Sequence, residues 1–574
     1  MAPQRALAVL PTRGEWTAPV RQSPRLARSR RPHPDMTDLQ FDSRRSPALS
    51  TRGMVATSAT TATAAGLDVM RQGGNAADAA VAAAAALNVV EPGSTGIGGD
   101  CFALYFDAKT GAVSAMNGSG RAPAALSIDL IRRQGLATSG DEIADPYHGH
   151  AVTVPGAAAG WEDLLARHGR MRLNDALAPA IRMAEQGAPI GPLTSSSWQR
   201  GAERQLRGRG ADMLIDGRAP RPGEIFRNPR LARVFREVAQ DGSAAFYEGD
   251  IGKRVAAAVQ RHGGVMTQAD LAAHRSTWEA PISTTYRGHR VWECPPNGQG
   301  LTALIALNIL EGFEPGSGDD AQQAHRLIEA LRLAFADARW YVADPATNPA
   351  PLAGLLSKEY ATQRRALIHP GRATVDARRG SPVAGSDTVY LCAVDGDGNA
   401  CSFINSNYMG FGTGIAPEGC GFTLQNRGHN FSLDPKHPNA LAPGKRPYHT
   451  IIPGMLTRPD GSLYAPFGVM GGFMQPQGHA QVVANMLDFG MDPQAALDRP
   501  RVCLEPGQPD GRVAVEAGFG RDTVAQLRTM GHDAFEVGGL ARSLFGRGQI
   551  IRREPDGVLW GGSDPRADGC AMGL

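Results

Sequence analysis

The sequence predicts a layered α/β sandwich, in which helices cover a two-sided set of strands. Apolar residues at helical spacing run through the middle of the chain, from Val152 to about Gln363, whereas short alternating segments separated by tight turns dominate after Asp387. The chain of 574 residues is 42% apolar and contains 70 glycines and 41 prolines. This composition supplies a large core with many turns, and it excludes a disordered chain or a small disulfide scaffold.

The first 45 residues differ from the rest, because arginines and prolines stand there without any hydrophobic periodicity. Such a segment buries too little apolar surface to fold alone, so we expect residues 1–45 to form a loose, disordered arm. It is an extension upstream of a start at Met36, an Arg-rich organelle leader or a plain tail, and the sequence leaves these three open. The apolar run Ala6–Leu10 is too short for a secretory signal, so we expect a cytoplasmic protein.

A pair of helices and a hairpin follow the arm. Ala59–Arg71 has helical spacing, and Asn75 is a typical cap for a second helix that ends before Pro92. Alternating apolar residues around Lys109–Gly111 then predict a hairpin. The longest apolar stretch, Ala76–Val90, is too short to cross a membrane, so it predicts a buried helix.

The middle and the last third of the chain predict different elements. Helices are predicted at Ala157–His168, Leu173–Gln186, Ile251–His262, Gln268–His274, Leu301–Leu310 and Ala321–Val342. Thr388–Val394 and Cys401–Asn405 alternate around the turn Asp395–Asn399, which predicts a hairpin. Two further helices and a last hairpin are predicted at Gln477–Leu487, Arg521–Met530 and Ile550–Trp560.

Charge and cysteine content exclude several kinds of partner. Lys and Arg number 59 and Asp and Glu number 56, which leaves a net charge of +3. This balance does not favour binding to a nucleic acid or a membrane surface. The 7 cysteines contain no Cys-x-x-Cys pair, so we expect free thiols and no zinc cage.

A threonine at the start of a predicted strand is the first candidate for catalysis. The segment Arg378–Ser386, which we expect to be flexible, leads through Asp387 into a strand that opens with Thr388. A cut between Asp387 and Thr388 would give Thr388 both a nucleophilic hydroxyl and a free α-amine, whose ordinary pKa of about 8 suits a general base. Taken alone, a threonine at this position is also an ordinary strand residue.

Motifs on both sides of Thr388 point to its role. They are Gly73–Ala80 (GGNAADAA), Gly98-Gly99, Asp395–Asn399 (DGDGN), Phe411–Gly414 (FGTG), Lys445–Pro447 (KRP), Gly471-Gly472 and Ser563–Arg566 (SDPR). In this order, over about residues 53–570, they resemble the γ-glutamyltranspeptidase family. The resemblance implies an N-terminal nucleophile hydrolase, a precursor with a four-layer αββα sandwich that cuts itself into two subunits. The large-subunit segment would be residues 46–387 and the small one 388–574, with Thr388 as its nucleophile.

The same resemblance implies roles for other residues. Ser406 falls where the family has a hydroxyl that binds the nucleophile, although a serine at a strand end is also an ordinary turn residue. Gly471 and Gly472 match a glycine pair whose backbone N–H groups face the developing oxyanion. At a position of paired serines, Thr450 keeps a hydroxyl and His449 is expected to be a core or loop histidine. No metal or cofactor is expected to take part.

Positions that would recognise the substrate depart from the family. Asn430 stands where the family has an aspartate that binds the substrate ammonium, so a charge is lost. Ser119 stands where the family has a carboxylate-binding arginine, and Arg121, two residues later, either substitutes for it or is structural. Arg427 is either a second clamp for the substrate or a solvated surface charge.

These departures shape the expected function. A pocket that loses an acid and gains a base favours an acyl group with a carboxylate and no ammonium, and the short stretch Phe431–Lys445 lacks the lid loop of some members. We expect a self-processing γ-glutamyltransferase-like amidohydrolase that passes a γ-glutamyl or related acyl group from Thr388 to water or an amine. The alternatives are a glutaryl-cephalosporin acylase-like or oxamate-type hydrolase with little glutathione activity, and an unprocessed, non-catalytic ligand-binding member. Its expected partners are a small-molecule amide and its own second cleavage product, as a heterodimer or a dimer of heterodimers.

Overall fold

The computed structural model describes residues 45–204, 206, 210–374, 387–505 and 511–574. The predicted arm, residues 1–45, lies outside the described residues except for Arg45. The predicted flexible segment Arg378–Ser386 also lies outside them, and of Asp387 only the backbone is described.

Strands and helices are interspersed along the described residues. The strands are β1 (Ala48–Ser50), β2 (Met54–Thr57), β3 (Asp100–Phe106), β4 (Val113–Gly118), β5 (Ala188–Pro189), β6 (Ile225–Phe226), β7 (Thr277–Glu279), β8 (Ile282–Tyr286), β9 (His289–Glu293), β10 (Asp387–Val394), β11 (Ala400–Tyr408), β12 (Gly454–Thr457), β13 (Leu463–Met470), β14 (Val502–Glu505), β15 (Arg512–Glu516), β16 (Ala534–Val537), β17 (Arg547–Arg553), β18 (Leu559–Ser563) and β19 (Cys570–Gly573). The helices are α1 (Thr60–Arg71), α2 (Ala76–Val90), α3 (Ile128–Arg133), α4 (Ala157–His168), α5 (Leu173–Gln186), α6 (Pro192–Arg204), α7 (Pro229–Asp241), α8 (Ser243–Tyr247), α9 (Asp250–Arg261), α10 (Gln268–Ala272), α11 (Gly300–Leu310), α12 (Asp320–Tyr341), α13 (Leu352–Leu355), α14 (Lys358–Arg365), α15 (Met474–Leu487), α16 (Pro493–Asp498) and α17 (Thr523–Thr529).

Two antiparallel sheets of 7 strands each form the centre of the fold. One has the order β19-β2-β10-β11-β3-β4-β7, and the other has the order β1-β18-β17-β13-β12-β9-β8. The two sheets face each other, because one buried cluster combines Phe102 and Tyr390 of the first sheet with Met455 and Ile551 of the second. The ring of Tyr390 lies directly against the backbone of Gly468 in β13.

Helices cover the outer faces of both sheets. Helices α1, α2, α4, α5, α7 and α9 bury their apolar faces with Leu391 and Phe403 of the first sheet. Helices α11, α12 and α15 do the same against Val291 and Phe467 of the second sheet. The result is a four-layer αββα sandwich, which confirms the predicted fold class.

The glycine-rich motif Gly73–Ala80 and the turn after β10 are joined by hydrogen bonds. Asn75 caps α2 in a capping box with Asp78, as predicted. The carboxylate of Asp395, in the turn between β10 and β11, accepts a hydrogen bond of 3.1 Å from the N–H of Ala76. The same carboxylate accepts the N–H groups of Asp397 and Asn399 at 3.0 Å. This turn therefore anchors the β10–β11 hairpin to the start of α2.

Most predicted elements are confirmed, but one hairpin was not predicted. The stretch from Val152 to about Gln363 is mostly helical, as expected, yet it also contains the short strands β5 to β9, of which β8 and β9 form a hairpin. Arg287 and Gly288, which join β8 to β9, have φ angles of +49° and +80°. Two consecutive positive φ angles are typical of a two-residue hairpin turn whose twist matches that of the strands.

The two predicted subunit segments do not form separate halves of the fold. In the first sheet, β10 and β11 from the segment 388–574 lie between β2 and β3 from the segment 46–387. The predicted boundary at residue 387 thus falls within one sheet, and it stays a prediction. In the part of the chain that the structure describes, no helix has the length and apolar character needed to cross a membrane.

Candidate active site

Thr388 lies at the start of β10 and faces the space between the two sheets. Along β10, Val389 and Leu391 pack toward the outer helices, whereas Tyr390 and Cys392 pack between the sheets. Side chains alternate along a strand, so Thr388 points to the same side as Tyr390. Its side chain is fully buried, and its Oγ1 lies 3.0 Å from Oγ of Ser406.

A β-bulge brings Ser406 to Thr388. Asp387 pairs with Tyr408, whereas Val389 pairs with Asn405, so two residues of β11 face the single residue Thr388. The Oγ of Ser406 accepts the N–H of Tyr408 at 2.8 Å and a guanidinium N–H of Arg427 at 3.3 Å. In the contact between the two hydroxyls, either Thr388 or Ser406 can be the donor. The predicted contact between Ser406 and Thr388 is present.

Arg427 is the cation of this site. Its guanidinium donates to Oγ1 of Thr450 at 2.6 Å and lies over the ring of Tyr408, 4.3 Å from the centroid. It is 0% exposed, so the alternative of a solvated surface charge is wrong. Burial lowers the pKa of Arg427 to about 10, and the nearby Asp100 opposes this shift. The Nε atom of Arg427 has no hydrogen-bond partner among the described residues.

Thr450 connects this cation to the predicted oxyanion site. The side-chain amide of Gln299 donates to the carbonyl of Thr450 at 2.6 Å and to that of Gly472 at 2.8 Å. Gly471 and Gly472 have φ angles of +141° and +60°, values that favour glycine. Among the hydrogen bonds between described residues, neither of their two backbone N–H groups has an acceptor.

The glycine pair also stands where a helix begins. Gly471 and Gly472 join β13 to α15, and their carbonyls accept the N–H groups of Met474 and Gln475 at 3.0 and 3.1 Å. The positive end of the α15 dipole therefore lies beside the two N–H groups. Unpaired N–H groups at such a position can stabilise a developing negative charge.

Asn430 is held in place by neutral hydrogen bonds. Its Oδ1 accepts the hydroxyl of Tyr408 at 2.6 Å, and its Nδ2 donates to the carbonyl of Tyr448 at 3.1 Å. Tyr408 in turn stacks on Arg427, so Asn430 contacts the site through that ring. The position contributes no charge to balance Arg427.

The structure does not bring the guanidinium of Arg121 into this network. Among the described residues, no hydrogen bond or ion pair joins it to Thr388, Ser406 or Arg427. It is half-buried and lies near His274, whose pKa is lowered by burial and by the positive charges of Arg446 and Arg121. Arg121 thus belongs to a neighbouring cluster of cations.

Sequence reasoning missed the pair formed by Asp100 and His449. Nε2 of His449 lies 2.9 Å from the Asp100 carboxylate, and Nδ1 of His449 accepts the N–H of Ile451, so Nε2 carries the proton. Burial lowers the pKa of His449, and the positive charges of Arg427 and Arg446 lower it further, so His449 is neutral. Burial raises the pKa of Asp100 to about 7, although Arg427 opposes this shift. The only signal in the sequence was the position of Asp100 directly after Gly98-Gly99.

Asp100 holds the loops around the site together. Its carboxylate accepts the backbone N–H groups of Gly120 and Gly156 at 3.1 Å and the amide of Gln425 at 2.9 Å. These donors come from three separate loops, one of which leads directly to Arg427. Asp100 therefore fixes the position of the buried cation relative to Thr388.

Comparisons with known proteins show which family this chain resembles. The family model described as Gamma-glutamyltranspeptidase matches residues 62–574. The glutathione hydrolase-like YwrD proenzyme of Bacillus subtilis is 39% identical over 541 residues, which cover 92% of this chain and 99% of that protein. The oxamate amidohydrolase proenzyme of Klebsiella pneumoniae is 35% identical over 543 residues, with 92% of this chain and 99% of that protein covered. The crystal structure of a cephalosporin acylase from Bacillus halodurans is 46% identical, has a TM-score of 0.86, and covers 96% of this chain and 99% of its own.

Proposed function

This chain belongs to the gamma-glutamyltranspeptidase family and is an enzyme of that hydrolase and transferase class, and we propose that it is a self-processing amidohydrolase for acyl groups that carry a carboxylate. Thr388 attacks the amide carbonyl and holds the acyl group as an ester. Water or an amine then takes the acyl group. The substrate is a small-molecule amide such as a glutaryl amide or oxamate.

The buried charge of Arg427 is the observation that carries the substrate class. The guanidinium of Arg427 donates hydrogen bonds to the hydroxyls of Ser406 and Thr450. Among the described residues, no carboxylate lies within ion-pair distance of it. A carboxylate on the acyl group would supply that partner, since a guanidinium binds carboxylates through parallel N–H donors. A substrate ammonium would find no acid at Asn430. The relative named for oxamate and the structure named for a cephalosporin acylase support this choice.

A γ-glutamyl substrate is the second candidate, supported by the relative named as glutathione hydrolase-like. Its α-carboxylate would also bind Arg427, but its α-ammonium would lie near the same cation. The substrate with a lone carboxylate is therefore the better match.

Self-processing uses the same hydroxyl. Oγ1 of Thr388 attacks the carbonyl carbon of Asp387, the C–N bond breaks, and the nitrogen leaves as the α-amine of Thr388. Water then hydrolyses the ester between the two residues, which frees a carboxylate on Asp387 and restores the hydroxyl. The products are residues 1–387 and 388–574, which stay together because their strands are paired within one sheet.

In each turnover the new α-amine accepts the proton of Oγ1 as the oxygen attacks the substrate. The N–H groups of Gly471 and Gly472 bind the oxyanion of the tetrahedral intermediate. The ammonium returns its proton to the leaving nitrogen, and the amine is released. The hydroxyl of Ser406 is hydrogen-bonded to Oγ1 and keeps it directed at the carbonyl. Water then attacks the acyl ester while the α-amine accepts a proton from it. That proton passes to Oγ1 as the ester C–O bond breaks, and the carboxylic acid is released.

Two measurements test the proposal. Mass spectrometry of the purified protein should find a chain that begins at Thr388, and Thr388→Ala should leave one uncut chain with no turnover. Glutaryl p-nitroanilide should be hydrolysed with a higher kcat/KM than γ-glutamyl p-nitroanilide. An uncut wild-type chain without turnover would instead support a non-catalytic ligand-binding protein, and a preference for the γ-glutamyl anilide would support the second candidate.

A further inference from the structure

A cluster of three buried side chains lies far from Thr388 in the fold, on the outer side of the second sheet. His325 and Glu329 come from α12, and His532 comes from the turn between α17 and β16. One ligand atom from each residue lies within 4.8 Å of the other two. Nδ1 of His325 and Nε2 of His532 are only 2.8 Å apart.

We propose that His325, Glu329 and His532 bind one divalent transition-metal ion of the zinc type. His325 and Glu329 are four residues apart, so they lie on one face of α12. Two imidazole nitrogens and one carboxylate oxygen form a donor set that zinc takes in proteins, with a fourth position left for water. All three side chains are buried, so the ion would be shielded from solvent.

Outer contacts hold two of the ligands in the orientation that a metal needs. Nε2–H of His325 donates to the carbonyl of His369 at 2.8 Å, which leaves the lone pair on Nδ1 directed at the cluster. The Oε2 atom of Glu329 accepts the N–H of Thr374 at 2.9 Å. Its Oε1 atom accepts no hydrogen bond among the described residues.

The neighbouring cation does not block the site. Nε of Arg332 lies 3.4 Å from Oε1 of Glu329, so this carboxylate would stand between a guanidinium and the metal. Carboxylates that bind metals are commonly held by a second partner in this way.

Metal binding by His325 and His532 would require one proton to move, but neither ring would have to release a proton to solvent. Because His325 donates through Nε2, the proton between the two rings belongs to Nε2 of His532. Nδ1 of His532 has no hydrogen-bond partner among the described residues. Metal binding would move that proton from Nε2 to Nδ1 of the same ring.

The position of the cluster gives the ion a structural role, and this role rests on the proposed function. His325 and Glu329 belong to the segment 46–387, whereas His532 belongs to the segment 388–574. After self-processing the ion would link the two products. The link would lie near the C-terminal end of the large product, because His369 and Thr374, which hydrogen-bond the ligands His325 and Glu329, belong to that end.

Zinc titration of the purified, chelator-treated protein tests the site. The wild type should bind one Zn²⁺ per chain in isothermal titration calorimetry, and Zn²⁺ should raise its Tm. His532→Gln and Glu329→Gln should each lower the association constant at least about 100-fold and abolish the rise in Tm. His289→Gln, which changes a histidine outside the cluster, should bind as the wild type does.

The uncut Thr388→Ala variant separates this proposal from the proposed function. It should bind the same single Zn²⁺, because the three ligands do not depend on the cut. The metal site would be refuted if the wild type bound no Zn²⁺. It would also be refuted if His532→Gln and Glu329→Gln both bound Zn²⁺ as tightly as the wild type does. Either result would hold whether or not the chain is cut at Thr388. Glu329→Gln keeps the size of the side chain and an acceptor for Thr374, so it serves if His532→Gln does not fold.

Discussion

Replacing Arg427 by methionine removes the buried positive charge and keeps a side chain of similar length. The proposed contact with the substrate is a hydrogen bond to a charged group, which contributes about 1.5–3 kcal/mol. If that contact is made in the transition state, its loss should lower kcat/KM by about 10- to 150-fold for a substrate that carries a carboxylate. Methionine fills the space over the Tyr408 ring, so a large cavity is avoided.

The assay compares two anilides that differ in one group. Glutaryl p-nitroanilide ends in a carboxylate, and pentanoyl p-nitroanilide has a methyl group in its place. Arg427→Met also loses the hydrogen bonds to Ser406 and Thr450, so kcat/KM should fall for both anilides, but it should fall by the stated factor more for the first than for the second. Arg427→Lys keeps the charge but loses the planar fork that holds Thr450 and Ser406 together, so it should recover only part of the activity.

Arg121→Met is the matched control. It makes the same change at a half-buried arginine that has no contact with Thr388, Ser406 or Arg427 among the described residues. It should leave the ratio between the two anilides unchanged. Equal losses on both anilides in Arg427→Met would refute the clamp and reduce Arg427 to a support of the fold. A selective loss in Arg121→Met would move the clamp to Arg121.

The remaining predictions concern three other positions. Ser406→Ala removes the hydroxyl that is hydrogen-bonded to Thr388 Oγ1, so it should lower kcat about tenfold and slow self-cleavage on denaturing gels; unchanged rates would make Ser406 an ordinary strand residue. Asn430→Asp adds an anion that can bind a substrate ammonium, so the ratio of γ-glutamyl to glutaryl turnover should rise about tenfold, and a fall would show that this position does not face the ammonium. Burial lowers the pKa of His429 from 6.5 to about 4, so its neutral form stabilises the fold fully above pH 6.5. This contribution, at most about 3 kcal/mol, is lost as the pH falls toward 4. His429→Gln should therefore flatten the dependence of Tm on pH in that range, and an unchanged slope would assign the loss to other groups.

The sequence was a good guide to elements whose signal is local. Asn75 was recognised as a cap, and its side chain accepts the predicted hydrogen bonds from the following backbone. The β10–β11 hairpin could be predicted because the turn at 395–399 has a strong pattern of its own. In these cases the residues that decide the structure lie within a few positions of one another.

Features that depend on tertiary contacts were out of reach. Arg427 lies in a polar stretch, which is typical of a surface loop, yet Asp100 and Tyr408 from distant strands surround it. The pairing of Asp100 with His449 joins positions 349 residues apart. The hairpin β8–β9 was missed for a different reason, since its turn residues, Arg287-Gly288, are a rare choice for two positive φ angles.

The register at the start of β10 explains how a chain can be cut in a central strand and keep its fold. Thr388 has no paired partner in β11, because the bulge falls between Asp387 and Val389. On its other side, β10 pairs with β2 only from Cys392 to Val394, so the first residues of β10 have no partner there within the described strands. A cut before Thr388 therefore removes little of the ladder that holds the sheet together. The freed α-amine is not needed for pairing with either neighbour, and it can act as the base that the proposed mechanism requires.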